Sequence, residues 1–273
     1  MYSDHVYRLF NIWGEHIFLE IGIFGVIILT LAILFAGISK GGFGSGAAFA
    51  AAPLLALIMD AKVAIGLMLP LLMLMDVTGL YFYWKKWVNS AVRILILGGI
   101  PGVCLGVVFF YYANPQILKG MIGVLAILFV INRYLMRYNS YFSSERFSSD
   151  RFGLFWASLS GFTSCISHAG GPPTAIYLLS KNISKTEYQA TTVIVFWVIN
   201  LVKLIPFLFF DLINLDTLKL SIWLVPVALF GTWVGVRAHY LIPEEIFYIV
   251  INFLLFITGL KLLYDAYISL FAF

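Results

Sequence analysis

The chain has 273 residues, of which 62% are hydrophobic and only 11% charged, with a formal net charge of +4. Soluble domains carry about 25% charged residues, so the composition excludes a water-soluble enzyme or binding module as the bulk of the chain. The basic residues are scattered between apolar runs rather than gathered on one face, which argues against nucleic acid as a partner and makes them useful as topology markers.

The first sixteen residues mix Asp4, Arg8 and Glu15 with Tyr7, Phe10 and Trp13. They lack the basic start, apolar middle and small-residue cleavage site of a signal peptide. The pattern predicts an amphipathic helix lying at the membrane interface over 1–16. Apolar runs follow at 17–38, 43–59, 63–84, 91–112 and 117–136, so that 17–136 forms a first transmembrane repeat. The stretch 137–151, rich in Ser and Arg, reads as a cytoplasmic linker. Further runs at 152–166, 169–180, 188–210, 218–240 and 246–270 make 152–273 a second repeat. Crossing a bilayer takes about 20 apolar residues in a helix. The sixth and seventh runs, at about 15 and 12 residues, are short by that measure. They suit half-helices that enter and turn back, a geometry allowed where protein or water satisfies the freed backbone. Cys104 and Cys165 sit inside apolar runs, so two buried, inert thiols are expected rather than a disulfide framework.

The two halves resemble each other. Asp76 and Asn200 lie at matching depths in the third and eighth runs, an offset of 124, and Pro101 and Gly106 match Pro226 and Gly231 at 125. The turn at Asn114-Pro115 matches Ile242-Pro243, and the glycine-rich stretches 41–46 and 169–171 occupy the same place in each half. A nearly constant offset over several features marks a duplicated unit. With ten crossings the odd-numbered loops hold most of the cations: Lys40; Lys85, Lys86 and Arg93; Arg137, Arg146 and Arg151; Lys181 and Lys185; and Arg237. The positive-inside rule puts those loops in the cytoplasm and both termini outside. Five crossings per half is odd, so the second half enters inverted. Three crossings and a re-entrant hairpin per half give the same parity, and four crossings with parallel repeats remain as the alternative. The fold class expected is an all-α polytopic inner-membrane protein of two homologous halves, with re-entrant or broken helices at the glycine-rich stretches.

Two stretches carry chemistry. One runs Ser39-Lys40-Gly41-Gly42-Phe43-Gly44-Ser45-Gly46 and leads to Pro53; the other runs Thr163-Ser164-Cys165-Ile166-Ser167-His168-Ala169-Gly170-Gly171-Pro172-Pro173. Glycines in an apolar context free the backbone from the helix. The amides of Gly42, Gly44, Gly170 and Gly171 then become candidate donors to an anion at the start of the following helix. Ser45, Ser167 and Thr174 are candidate hydroxyl donors. The competing reading is that these glycines allow close helix packing.

Gly42-Phe43-Gly44-Ser45-Gly46 with Pro53, and His168 to Pro173 with Tyr177-Leu178-Leu179, resemble the paired signature of the TauE/SafE family of sulfite exporters over about residues 31–263. The resemblance implies a transporter of sulfite, sulfonates or related anions. The second-half glycine motif departs from the usual pattern in its His-Ala-Gly-Gly-Pro-Pro, which leaves the substrate open within that range.

Ionisable groups inside a bilayer cost about 2.5–3.5 kcal/mol each on insertion scales and mark functional sites by default. Lys203 and Asp76 are the clearest such groups, and because Lys203 lies about one helical turn beyond Asn200, an approach of Lys203 to Asp76 across the repeat axis is expected. That pair reads either as a structural lock or as an anion site in which Lys203 supplies charge and Asp76 moves a proton. Lys40 reads as a substrate contact or as a residue snorkelling to the cytoplasmic surface. His168 is a second proton-coupling candidate. No metal or cofactor motif and no arrangement for nucleophilic catalysis is present in the sequence. The expected function is secondary transport, by alternating access with Asp76 and His168 as candidates for proton coupling, of a small sulfur-containing anion, with a passive anion channel or a carboxylate carrier as the alternative. The expected partners are the anion and the lipid bilayer.

Overall fold

The computed structural model describes residues 15–43, 50–138, 149–181, 183–241 and 244–271. All but the last two residues of the interfacial helix expected over 1–16, most of the linker, and the site candidates Gly44 and Ser45 lie outside the described residues. Every described element is helical: α1 (Glu15–Gly42), α2 (Ala51–Leu55), α3 (Ala61–Tyr83), α4 (Asn89–Tyr112), α5 (Pro115–Tyr138), α6 (Asp150–Ser167), α7 (Gly171–Leu179), α8 (Lys185–Phe209), α9 (Leu215–Leu241) and α10 (Glu244–Phe271). Among the described residues, the Gly22–Gly42 part of α1 together with α3, α4, α8 and α9 are long and apolar enough to cross a membrane.

Local sequence explains where these helices begin and end. Ser184 caps α8 in a reciprocal capping box with Glu187. Asp60 accepts from the Lys62 amide at the head of α3, and Asn114 accepts from the Ile117 amide just before Pro115 opens α5. α6 has 18 residues, longer than the sixth run suggested; at 1.5 Å per residue it is about 27 Å long, close to the hydrocarbon thickness. α7 has nine residues and α2 five, so neither crosses by itself.

α4 packs on α6, and α9 packs on α1, more extensively than any other helix pairs; α5 lies against α10, and α3 against α8. Small residues line the two main seams. A Cβ on Gly102 would collide with the Ser158 carbonyl of α6, one on Gly161 with the Gly99 carbonyl of α4, and one on Gly42 with the Gly235 carbonyl of α9. Helices in lipid associate through close packing of this kind, because lipid tails are as apolar as the side chains they would replace. One buried apolar cluster joins α1, α2, α3 and α9, with Ile33, Leu55, Met68 and Leu224 among its members. Another joins α4, α6, α7 and α8, with Leu95, Ala157, Tyr177 and Phe196. The outward faces carry exposed large apolar side chains such as Leu97, Leu105, Phe155, Ile205, Phe209, Phe230 and Phe253. A soluble protein rarely exposes apolar surface on that scale; here its solvent is lipid. Cys165 is buried as expected, whereas Cys104 is exposed, since its position on α4 faces away from the α6 seam formed by Gly98, Gly102 and Gly106.

Gly102→Leu should abolish recovery of monodisperse protein in detergent, because a backbone oxygen fills the space and neither helix can retreat without opening the seam. Gly120→Ala should leave the melting temperature unchanged or slightly raised, since its Cβ would meet only the Ala266 methyl at an ordinary 3.4 Å. Size-exclusion profiles and thermal melts of the two variants check the contrast.

Candidate functional site

The break between α6 and α7 is dictated by Pro172-Pro173. Proline lacks an amide hydrogen and its ring clashes with the carbonyl four residues earlier, so α6 cannot run on. The chain turns instead at His168, whose φ of 55° and ψ of 18° put it in the left-handed region, where His is among the better tolerated non-glycine residues. The turn is held by local hydroxyls. Thr163 Oγ1 donates to the Ala169 carbonyl at 2.9 Å, and Ser160 Oγ donates to the Gly170 carbonyl at 2.7 Å and lies 2.8 Å from Thr174 Oγ1. Two of the first four amide positions of α7 are prolines, so this helix start presents fewer free donors than an ordinary one. Gly170 is demanded by space: a Cβ there would lie 2.6 Å from the Phe196 ring. Gly171 and Ser167 are buried, the latter with its hydroxyl 3.5 Å from the Thr163 carbonyl.

This turn receives Lys203. The ammonium, fully buried, donates to the Ser164 carbonyl at 3.0 Å, to Ser164 Oγ at 3.1 Å and to His168 Nδ1 at 2.9 Å. His168 Nε2 lies 3.0 Å from the Ile65 carbonyl of α3. A carbonyl only accepts, so the partners assign the proton of neutral His168 to Nε2 and leave Nδ1 as the acceptor for Lys203. Three acceptors match the three N–H groups of an ammonium. None of them is a carboxylate.

The carboxylate goes elsewhere. Asp76, wholly buried on α3, takes Lys40 Nζ from the end of α1 at 2.5 Å on one oxygen and Asn200 Nδ2 from α8 at 2.8 Å on the other. The expected Asp76–Lys203 pair is therefore corrected: Lys40 neutralises Asp76, and Lys203 sits one layer away on the α6–α7 turn. Lys40 does not snorkel; it is 4% exposed, and its ammonium also lies 5.3 Å from the centre of the Phe196 ring. The last carbonyls of α1, which an α-helix leaves without partners, are met by three other helices. Gln189 Nε2 donates to Lys40 O at 2.5 Å, Tyr83 Oη to Gly41 O at 2.8 Å, and His239 Nδ1 to Gly42 O at 2.6 Å. Ser160, Ser164, Tyr83, Gln189 and His239 belong to this polar centre but were not singled out from sequence. Each is a common residue in a helical run, and only its position opposite a broken helix end gives it a role. Among the described residues no group of His, Cys, Asp and Glu is arranged to hold a metal ion.

A chain of membrane-length helices with two broken segments and three ionisable groups at its centre has the outline of a transporter. The sequence profile of the family described as Sulfite exporter TauE/SafE matches residues 29–262. The chain belongs to the TauE/SafE sulfite exporter family. The matched span runs from α1 into α10 and includes Lys40, Asp76, His168, Asn200 and Lys203. No curated protein and no solved structure matches the chain. Membership in TauE/SafE makes this a multi-pass membrane transporter, with a small anion as its substrate and the bilayer as its solvent.

Removing one member of a buried ion pair leaves an uncompensated charge, at a cost of about 3–5 kcal/mol. Lys40→Met and Asp76→Asn should each lower the melting temperature of the purified protein sharply. The double variant, with no charge left unpaired, should recover most of the loss. A double variant no more stable than the worse single one would show that the pair does not act as a unit.

Proposed function

We propose that this TauE/SafE protein is a secondary transporter that exports sulfite or an organosulfonate across the cell inner membrane by alternating access. One observation carries the reading: Lys203 is buried among membrane helices and its partners are neutral acceptors, while the nearest carboxylate is already engaged by Lys40. A lone charge away from water is costly. An anion arriving at the α6–α7 turn relieves that cost, taking over N–H groups that Ser164 and His168 hold in its absence. Ser167, Thr174 and the amides of Gly170 and Gly171 lie along the same turn as further contacts. Gly42, Gly44 and Ser45 are the first-half counterparts.

Alternating access suits the packing. One apolar cluster joins α1, α2 and α3 with α9, and the other joins α6, α7 and α8 with α4, so in chain order each takes three consecutive helices from one half and its fourth from the other. Asp76 and Asn200, equivalent by sequence offset, bond to each other. Contact between equivalent positions is what a twofold axis produces, which supports two inverted halves, 17–136 and 152–273, rocking about α3 and α8. With the basic loops inside, the linker 137–151 is cytoplasmic and both termini face outward.

On this reading the hydrogen bonds support a proton-coupled cycle. Protonating His168 Nδ1 would set two donors against each other, so His168 takes a proton only after Lys203 has turned to the anion. Asp76 takes one only when Lys40 moves away. Anion binding thus precedes protonation.

Counterflow in proteoliposomes tests the proposal. Labelled methanesulfonate or sulfite should accumulate transiently against excess unlabelled anion in vesicles bearing the wild-type protein. Lys203→Ala should abolish the signal while leaving the amount of inserted protein unchanged. Flux that neither saturates nor shows counterflow would indicate a channel, and wild-type counterflow in Lys203→Ala would remove Lys203 from the anion's path.

A further inference from the structure

The seam between α3 and α8 leaves an open groove on the outer face of the protein. Val77, Leu80, Tyr81 and Trp84 stand at i, i+3, i+4 and i+7 on α3 and so share one face. Ile194 and Trp197 of α8 line the opposite wall, and Trp87 joins them from the segment after α3. The cavity between them measures about 670 Å³, within the range of about 300–1,000 Å³ usual for small-molecule sites. Trp87 Nε1 donates to Asn89 Oδ1 at 3.0 Å, and the Trp84 ring meets the Trp87 ring edge-on at 5.5 Å, which holds this part of the wall in place.

The groove has a direction. α3 and α8 run antiparallel, since Asp76 meets Asn200 and the Val88 amide donates to Thr191 Oγ1. One end lies beside that buried contact: Val77 follows Asp76, and Trp197 is one helical turn from Asn200. The other end lies about 10 Å along α3, at Trp84, and is followed at once by Lys85 and Lys86. Both lysines are exposed, and Lys85, at a φ of 60°, turns the chain where α3 stops. No acidic residue occurs between 77 and 144, and among the described residues neither lysine is paired with a carboxylate.

We propose that this groove binds an anionic phospholipid of the cytoplasmic leaflet, with one acyl chain between α3 and α8 and the phosphate on Lys85 and Lys86. The leaflet follows from the orientation argued above; the site itself depends only on the bilayer and holds whichever anion is carried. An apolar wall offers a small anionic substrate no donors to replace its water, whereas an acyl chain loses nothing there. Tryptophan and tyrosine settle at headgroup level, and lysines beside the membrane draw anionic headgroups. An ordinary lipid touches a convex helix face on one side. A chain in this groove is walled on two, and it bridges α3 and α8 within a turn of the Asp76–Asn200 contact, so its presence stabilises that seam.

Native mass spectrometry of the purified full chain, titrated with phosphatidylglycerol and with phosphatidylcholine of the same acyl chains, tests the site. The wild-type protein should hold its first phosphatidylglycerol about tenfold more tightly than phosphatidylcholine, and its melting temperature should rise further with the former. Lys85→Gln with Lys86→Gln should bring the two lipids to parity. Arg151→Gln with Arg237→Gln, which removes two exposed cations outside the groove, should keep the preference. Val77→Trp fills the groove from a half-exposed position and should weaken both lipids; if its lipid-free melting temperature falls, Trp84→Ala, at an exposed position, makes the same comparison. Parity on the wild type, or equal loss in both double variants, would overturn the site in favour of general attraction to a basic surface. Unchanged lipid binding in the groove variants would overturn the groove as the acyl seat, and a wild-type dimer that Val77→Trp dissociates would assign it to a second copy of the chain instead.

Discussion

Within a bilayer a polar group has no water to fall back on, and the arrangement around Asp76 follows from that constraint. Its two oxygens are filled from two directions, by the ammonium ending α1 and the amide of α8. Those two bonds tie the broken end of α1, the spanning helix α3 and the spanning helix α8 to one point. The carbonyls left over where α1 stops are taken by Gln189, Tyr83 and His239, drawing α8, α3 and α9 to the same place. A helix can end in the buried interior because three neighbouring helices supply what the backbone lost.

The second break is solved differently. Two prolines stop α6, a left-handed His turns the chain, and Ser160 and Thr163 satisfy the exposed carbonyls from within the same segment. The first break is capped from a distance and contains an internal ion pair. The second is capped locally and holds a cation without a carboxylate. The two breaks thus carry different electrostatics.

Much of the architecture is legible in the chain. Apolar runs of sufficient length point to membrane crossing, and each of the ten described helices overlaps one of the ten runs read along the sequence, differing at its ends. The glycines illustrate a limit. Gly42 and Gly170 are required, but for steric reasons: one admits the Gly235 backbone and the other the Phe196 ring. Packing and anion binding use the same residue type, and a sequence does not separate the two.

What sequence determined is the membrane-helical class, a break at the glycine-rich stretch 169–171 and a short list of ionisable residues inside apolar runs, because hydropathy, backbone freedom and desolvation cost are local properties. The pairing of those residues is tertiary. Asn200 and Lys203 are three apart on α8 and share a face, so both point to the centre, yet about 4.5 Å of axial rise separates them. That rise is enough for Asn200 to meet Asp76 while Lys203 passes beyond it to Ser164 and His168. Lys40 takes the carboxylate because the packing of α1 against α9, through Gly37, Gly41 and Gly42, sets the end of α1 at the depth of Asp76. Depth in the membrane follows from how closely two helices approach, and that depends on both partners of each seam at once.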